Sequence, residues 1–229
     1  MPRIVASSNA AQRELTQRKI LDSFGQLLFS HGLPGLTMTD VARQAGVGRT
    51  AVYNYYADLE QLLVAYALDE TGRFISDLRQ ELARLDNPVD QLACYVRAQI
   101  EDLSKRHLPP GPAMRSVLSA DSFAKLSVHV GELSALLQDI LHRAIDEQYL
   151  PAAEVSDLAY LIHGSLTASA SRGGRPGSTP DTAAESATDD DGAAARQART
   201  EATVRFIQAG VGAQFDADGH PIRRTGNGA

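Results

Sequence analysis

Residues 37–56 read TMTDVARQAGVGRTAVYNYY. Thr37 offers a hydroxyl for a helix N-cap, and Asp40 stands three residues on, as in a capping box. Val41 and Ala45 make a short apolar stripe, and Gly46 suits the left-handed residue that closes a helix. Gly48 is an acceptable N-cap for the next helix, which starts near Arg49. The stretch therefore reads as short helix, glycine turn, short helix. That is helix-turn-helix geometry, in which the second helix enters the DNA major groove. Arg49 can fork onto guanine O6 and N7, and Thr50 and Asn54 can meet base edges or phosphate oxygens. Tyr53 and Tyr55 can donate their phenol hydroxyls to phosphates and touch thymine methyls. Tyr56 sits one step further round and reads as a core aromatic. Helical bundles that touch no DNA also join short helices through glycine, so the pattern alone leaves both readings open.

Working outward, the helical period continues on both sides. Ile20, Phe24, Leu27 and Leu28 recur on one helix face from Leu15 onward, and Gly32, Pro34 and Gly35 end that helix. Asp58 with Gln61 repeats the capping-box pattern ahead of a long helix. Asn87-Pro88 reads as an N-cap followed by proline at the first helical position. LPPGP at 108–112 is a firm stop. Asp121 or Ser122 is expected to cap another long helix, and Pro151 to open the next. Residues 172–198 hold no Leu, Ile, Val, Met or aromatic residue and are expected to be disordered. A last helix over about 200–213 carries Val204, Ile207 and Val211. No strand pattern and no internal repeat stand out. The fold class is all-α: a loose tail over 1–13, a three-helix helix-turn-helix domain over 14–60, a helical domain over 61–215, and a loose tail over 216–229.

Charge points the same way. The chain carries a formal net charge of -6. Residues 1–60 hold six Lys/Arg against five Asp/Glu, and the remainder sixteen against twenty-three. A polyanion would meet least repulsion at the N-terminal part. One cysteine, Cys94, excludes an intrachain disulfide and a CxxC-type zinc or redox site. No transmembrane span and no secretory leader is visible, so a reduced cytoplasmic setting is expected. No nucleophile motif, phosphate loop, cofactor motif or metal-ligand cluster is present, so no cofactor is expected. His107, His129, His142 and His163 never pair at the i, i+4 spacing of two ligands on one helix turn. No metal site is expected.

The stretch LTMTDVARQAGVGRTAVYNYYADLEQLL, with the residues back to about Arg18, resembles the DNA-binding domain of the TetR family of transcriptional regulators. Thr37, Val41-Ala42, Ala45-Gly46-Val47, Val52-Tyr53 and Tyr56 fall in register with the family pattern, as does the acidic-leucine pair opening the next helix. The resemblance implies phosphate contacts from Thr37 and Tyr53, and base or groove contacts from Arg49, Thr50, Asn54 and Tyr55. Two positions depart from it. Gly48 replaces a common polar cap, and Leu59 replaces a lysine that commonly touches phosphate. Arg3, Arg13, Arg18 or Arg43 could supply that phosphate contact instead.

The resemblance further implies that the second domain binds a ligand and dimerises. The last two helices, near 153–171 and 200–213, would pair with those of a second copy, with Gly164, Ala168 and Ala170 allowing close approach. The other reading is that both helices pack within one subunit. A homodimer would meet a palindromic double-stranded operator with recognition helices about 34–36 Å apart. A small-molecule effector would enter the middle helices, where Tyr95, Gln99, His107, His129, Tyr160 and His163 are the polar candidates. Each of these could equally be a surface or satisfied core residue. The function implied is a ligand-released repressor. Its competitors are a helical small-molecule enzyme and an architectural DNA-binding protein with no ligand.

Overall fold

The computed structural model describes residues 3–105, 115, 117–171 and 189–224. Among these, eight helices follow one another: α1 (Arg3–His31), α2 (Met38–Ala45), α3 (Arg49–Tyr53), α4 (Leu59–Leu82), α5 (Pro88–Lys105), α6 (Ala120–Asp146), α7 (Val155–Ser171) and α8 (Asp189–Gly210). A two-stranded antiparallel hairpin, β1 (Gln214–Phe215) and β2 (Pro221–Ile222), follows α8. Among the described residues no helix is long and apolar enough to cross a membrane.

The chain divides into two units. Unit 1 takes residues 1–73 and 107–130, and unit 2 takes 74–106 and 131–229. The helices α4 and α6 contribute to both.

In unit 1 Ile20, Phe24 and Leu28 of the expected α1 face are buried, Leu27 is partly buried and Leu21 joins them, against Met38, Val41 and Ala42 of α2, Val52 of α3, and Leu62 and Leu63 of α4. Burying each such aliphatic or aromatic side chain is worth about 1.5–3 kcal/mol. The Phe24 and Tyr66 rings meet edge to face, 5.5 Å apart at 75°. Gly25 makes room for this contact, since a Cβ there would lie 2.8 Å from the Tyr66 ring.

The caps form largely where the sequence puts them. The Asp40 N–H donates to the Thr37 hydroxyl at 3.3 Å, and the Thr37 N–H donates back to the Asp40 carboxylate at 3.1 Å. Gln61 N–H donates to Asp58 at 2.8 Å, with the Gln61 side chain returning to Ala57 N–H. Asn87 accepts from Val89 and Asp90 N–H, at 3.1 and 2.9 Å.

Unit 2 packs Leu78, Leu92, Tyr95, Val96, Leu137, Leu141, Leu166 and Ile207 at its centre. The buried Gln91 amide donates to the Leu82 and Leu85 carbonyls, both at 3.0 Å, and so closes the α4–α5 turn. Arg97 of α5 reaches Glu201 of α8 with two bonds, 2.7 and 2.9 Å. The hairpin is tied to the end of α6 by Arg224 N–H donating to the Gln148 carbonyl at 2.7 Å.

Several boundaries differ from those expected of the sequence. The helix α1 begins at Arg3, through most of the expected 1–13 tail, because no glycine or proline falls within residues 3–13 and Ala10-Ala11-Gln12-Arg13-Glu14 are strong helix formers. The helix α8 begins at Asp189, inside the stretch expected to be disordered over 172–198. Its alanines favour a helix. Residues 172–188 lie outside the described residues. The expected loose tail after Phe215 instead turns back as β2, with Asp216 accepting from Asp218 and His220 N–H at 3.0 and 2.8 Å. Ser119, not Asp121 or Ser122, caps α6, and α7 starts at Val155 rather than at Pro151.

Gly46 closes α2 at φ 65°, donating its N–H to the last carbonyls of that helix, and nothing stands within 4 Å of an added Cβ. Gly46→Ala is therefore expected to cost about 1 kcal/mol from backbone conformation alone. Urea unfolding of the full chain measures it. A destabilisation smaller than about 0.3 kcal/mol would show that the turn does not hold α2 and α3 in place.

Candidate nucleic-acid interface

The segment from Gly48 to Tyr56 is held from one side only. The Gly48 carbonyl accepts from Ala51 and Val52 N–H, at 2.9 and 3.3 Å, and so starts α3. No side-chain hydrogen bond caps it, which is the consequence of glycine at that position. Val52 and Tyr56 turn inward and are buried in the unit 1 core. Arg49, Thr50, Tyr53 and Asn54 are left on the opposite, exposed side. Val52 to Tyr56 is four residues, one helical turn, so burying that pair fixes which way the rest of the segment faces.

Individual side chains are already arranged. Arg49 donates to the Tyr53 hydroxyl at 3.4 Å, and its guanidinium carbon lies 5.5 Å from the Tyr53 ring centroid. The contact restrains the arginine without neutralising it. Asn54 is the C-cap of α3, in right-handed helical conformation, with its side chain exposed. Tyr55 behaves differently from its neighbours. It is half-buried, it donates its hydroxyl to the Arg13 carbonyl at 3.3 Å, and the Arg13 guanidinium lies 5.5 Å from its ring centroid. Tyr55 thus ties the end of the Gly48–Tyr56 segment to α1.

Thr37 is exposed, but its hydroxyl is engaged: it donates to the Asp40 carboxylate at 2.6 Å while accepting the Asp40 N–H. That hydroxyl bond holds the Asp40 carboxyl below its ordinary pKa, with smaller help from the Thr37 N–H and Arg43. A phosphate at Thr37 would have to compete for the same donor. Leu59, in place of a lysine, packs partly buried against the unit 1 core.

The four effector candidates whose side chains are described differ widely in burial. Tyr95 is fully buried in unit 2 and donates to the Leu133 carbonyl at 3.2 Å. Burial pushes its phenol well above the ordinary value, so it stays a neutral donor. Gln99, one turn on, is also buried. His163 is half-buried, its Nδ1 bonded to the Ala159 carbonyl at 2.8 Å. Tyr160 is 80% exposed and, among the described residues, lies outside the core of unit 2. Helical spacing sets it beside apolar residues, but the core-facing stripe of α7 is Val155, Ala159, Ile162 and Leu166. His107 lies outside the described residues, as does the side chain of His129, which belongs to α6.

A cavity of about 800 Å³ opens in unit 2 between α4 and α5. Phe74, Leu78, Leu85 and Ala98 give it apolar walls, and five carboxylates face two guanidiniums, Arg84 and Arg97, around them. Sequence reasoning missed it, because its lining alternates between two helices whose register to each other the sequence does not state. Cys94 also lines it, and burial with the nearby Glu81 carboxylate raises its thiol above the ordinary value.

Comparison with known proteins agrees with this geometry. The model of the bacterial regulatory proteins of the tetR family matches residues 20–66. An HTH-type transcriptional regulator of Haemophilus influenzae is 33% identical over 84 residues, which are 36% of this chain and 40% of that one. The HTH-type transcriptional regulator AlkX of Mycobacterium tuberculosis is 32% identical over 72 residues, 31% of this chain and 34% of that one. The chain thus spans two-fifths or less of the length of these relatives. Among solved structures, the fatty acid degradation regulator FadR of Bacillus halodurans superposes with a TM-score of 0.66 at 16% identity, covering 87% of this chain and 97% of that one. NemR of E. coli in its reduced form gives a TM-score of 0.66 at 16% identity over 86% and 98%. FadR of Bacillus subtilis, solved with stearoyl-CoA, gives 0.62 at 17% identity over 82% and 97%. At such identities the likeness concerns the fold.

Proposed function

From the chain's membership of the tetR family of bacterial regulatory proteins, which rests on residues 20–66, we propose that it is a cytoplasmic repressor. It binds a palindromic operator as a homodimer and is released when a small molecule enters unit 2. One observation carries the DNA-binding part: Arg49, Thr50, Tyr53 and Asn54 are exposed together while Val52 and Tyr56, from the same turn, are buried. The exposed set holds one strong cation, two short hydrogen-bonding groups and one phenol. That mixture suits groove floor and phosphate rim together.

The dimer reading rests on unit 2. Tyr160 and Leu161 of α7 and Phe206 of α8 are 80%, 65% and 68% exposed. Leu161, Gly164 and Ala168 follow one another at i, i+3, i+7 on the side of α7 away from its core stripe, and Ala202 and Phe206 stand at i, i+4 on the exposed side of α8. Large apolar side chains next to small ones suit close packing of a second pair of helices. One helix-turn-helix module buries little surface on DNA, so two copies are needed for tight binding.

For the effector, the cavity between α4 and α5 is the candidate entry. The stearoyl-CoA held by the Bacillus subtilis FadR carries phosphates, and here they would meet five carboxylates. Of the two arginines, Arg97 is already paired with Glu201. A neutral or cationic amphiphile fits this lining better. Whatever enters loosens DNA only by its differential affinity for the two forms of the protein.

Gel shift of the full chain on the DNA upstream of its own coding region tests the reading. Arg49→Ala is expected to weaken specific binding by about 1–3 kcal/mol and to relax preference at one base position. An equal weakening on all sequences would assign Arg49 to phosphate, and unchanged binding would remove it from the interface. A complex that persists across a broad compound library would favour an architectural protein. Leu161→Glu with Phe206→Glu is expected to turn a dimer into a monomer in light scattering and to abolish the specific shift. An unchanged dimer would place the interface elsewhere.

A further inference from the structure

We propose that Arg13, on the N-terminal part of α1, is a phosphate-contacting residue of the DNA interface, held beside the recognition segment by Tyr55. The proposal rests on the DNA-binding reading above and adds a residue to it.

The first reason is a deficit. The opening of α4 offers no cation at Leu59, whose side chain packs against the unit 1 core. A phosphate at that edge of the module would need a positive group from elsewhere. The second reason is elimination among the arginines named for that role. Arg18 is paired with Asp69 at 2.7 Å, and Arg43 with Asp40 at 3.1 Å. The side chain of Arg3 lies outside the described residues. Arg13 is exposed, and among the described residues no carboxylate pairs with it.

The third reason is position. The Arg13 guanidinium carbon lies 5.5 Å from the Tyr55 ring centroid, and the Tyr55 hydroxyl donates to the Arg13 carbonyl at 3.3 Å. Tyr55 is two residues beyond the end of α3. The cation is therefore fixed at the C-terminal edge of the recognition segment by both its backbone and its head. A ring contact leaves the guanidinium N–H groups free, whereas a carboxylate would use them. Restraint without neutralisation is the arrangement a phosphate contact needs. Residues 9–19 of α1 are exposed except for the half-buried Thr16, so packing does not account for their order as a helix. Holding Arg13 against Tyr55 gives that extension a use.

The test uses the full chain, fluorescence anisotropy, and two labelled duplexes: one enriched from a random library by the wild-type protein, and a scrambled version of it. Each is titrated across a range of salt concentrations. Arg13→Gln is expected to weaken binding to both duplexes by the same factor. It should also lower the slope of log K against log salt by about 0.9 for each phosphate it no longer neutralises. Arg13→Lys should restore most of the slope, and Lys19→Gln, a charge change on the same helix, should leave it near the wild-type value. Unchanged affinity and slope in Arg13→Gln, with wild type binding normally, overturns the proposal and leaves the DNA-binding reading intact. An equal effect from Lys19→Gln also overturns it, since the helix would then act only through its general field. Failure of the wild type to bind any duplex would remove both.

Discussion

Burial of Val52 and Tyr56 in the core of unit 1 is the constraint from which the rest of the site follows. Val52 lies on α3, a helix too short to be stable alone, and Tyr56 stands three residues beyond its end, its N–H still donating to the Val52 carbonyl at 3.0 Å. Only packing against α1, α2 and α4 keeps α3 helical, and that packing decides which residues are left outside. The left-handed Gly46 sets the angle at which α3 departs from α2, and the Thr37–Asp40 box fixes where α2 begins. Sequence, cap geometry and core packing therefore act on a single result. Arg49, Thr50, Tyr53 and Asn54 are presented as a set, each on backbone that the core holds still.

This also explains why an acidic chain can carry a module of so few charges. Charge is needed where phosphates are, and hydrogen bonds and apolar contacts suffice in the groove. In unit 1, among the described residues, Arg13 is held over the Tyr55 ring and Arg49 over the Tyr53 ring. The tyrosines near the recognition segment thus have divided roles. Tyr56 supplies core, Tyr55 ties the segment to α1, and Tyr53 stays exposed beside Arg49. Unit 2 is organised by other means, with a polar closure at Gln91, a charged link from Arg97 to Glu201 and an apolar centre around Tyr95. Its cavity is strongly charged, whereas the exposed faces of α7 and α8 carry large apolar side chains.

Features set by a few neighbouring residues could be read from the sequence. Thr37 with Asp40, Gly46, Asp58 with Gln61, and Asn87 before Pro88 all act locally, and the structure has a cap or turn at each. The inward face of α1 followed from its period. Elsewhere composition proved a poor guide to conformation. Residues 189–198 lack large apolar side chains, yet alanine favours a helix without them. Asp218-Gly219 is a hairpin signal, but its flanking runs of two residues are too short to show as strands in a pattern. In the site, the inward turn of Tyr56 was legible because a helix face is periodic, whereas Tyr55, read with the outward set, is half-buried. The effector candidates were not, since periodicity does not state which neighbour covers a residue. Tyr95 and Tyr160 look alike in sequence and lie at opposite extremes of burial. The double engagement of the Thr37 hydroxyl and the tie from Tyr55 to Arg13 depend on three-dimensional placement that no local pattern encodes.

The central claim is that the segment from Arg49 to Asn54 enters the major groove, twice per symmetric pair. Dimethyl sulfate footprinting on an operator duplex tests it most directly, because guanine N7 lies in the major groove and adenine N3 in the minor. The account predicts protection at guanine N7 in two patches about one helical turn, 10–10.5 base pairs, apart. Those patches should vanish when the exposed residues of α3 are replaced. Protection confined to adenine N3, or a bound complex with every guanine N7 still reactive, would contradict it.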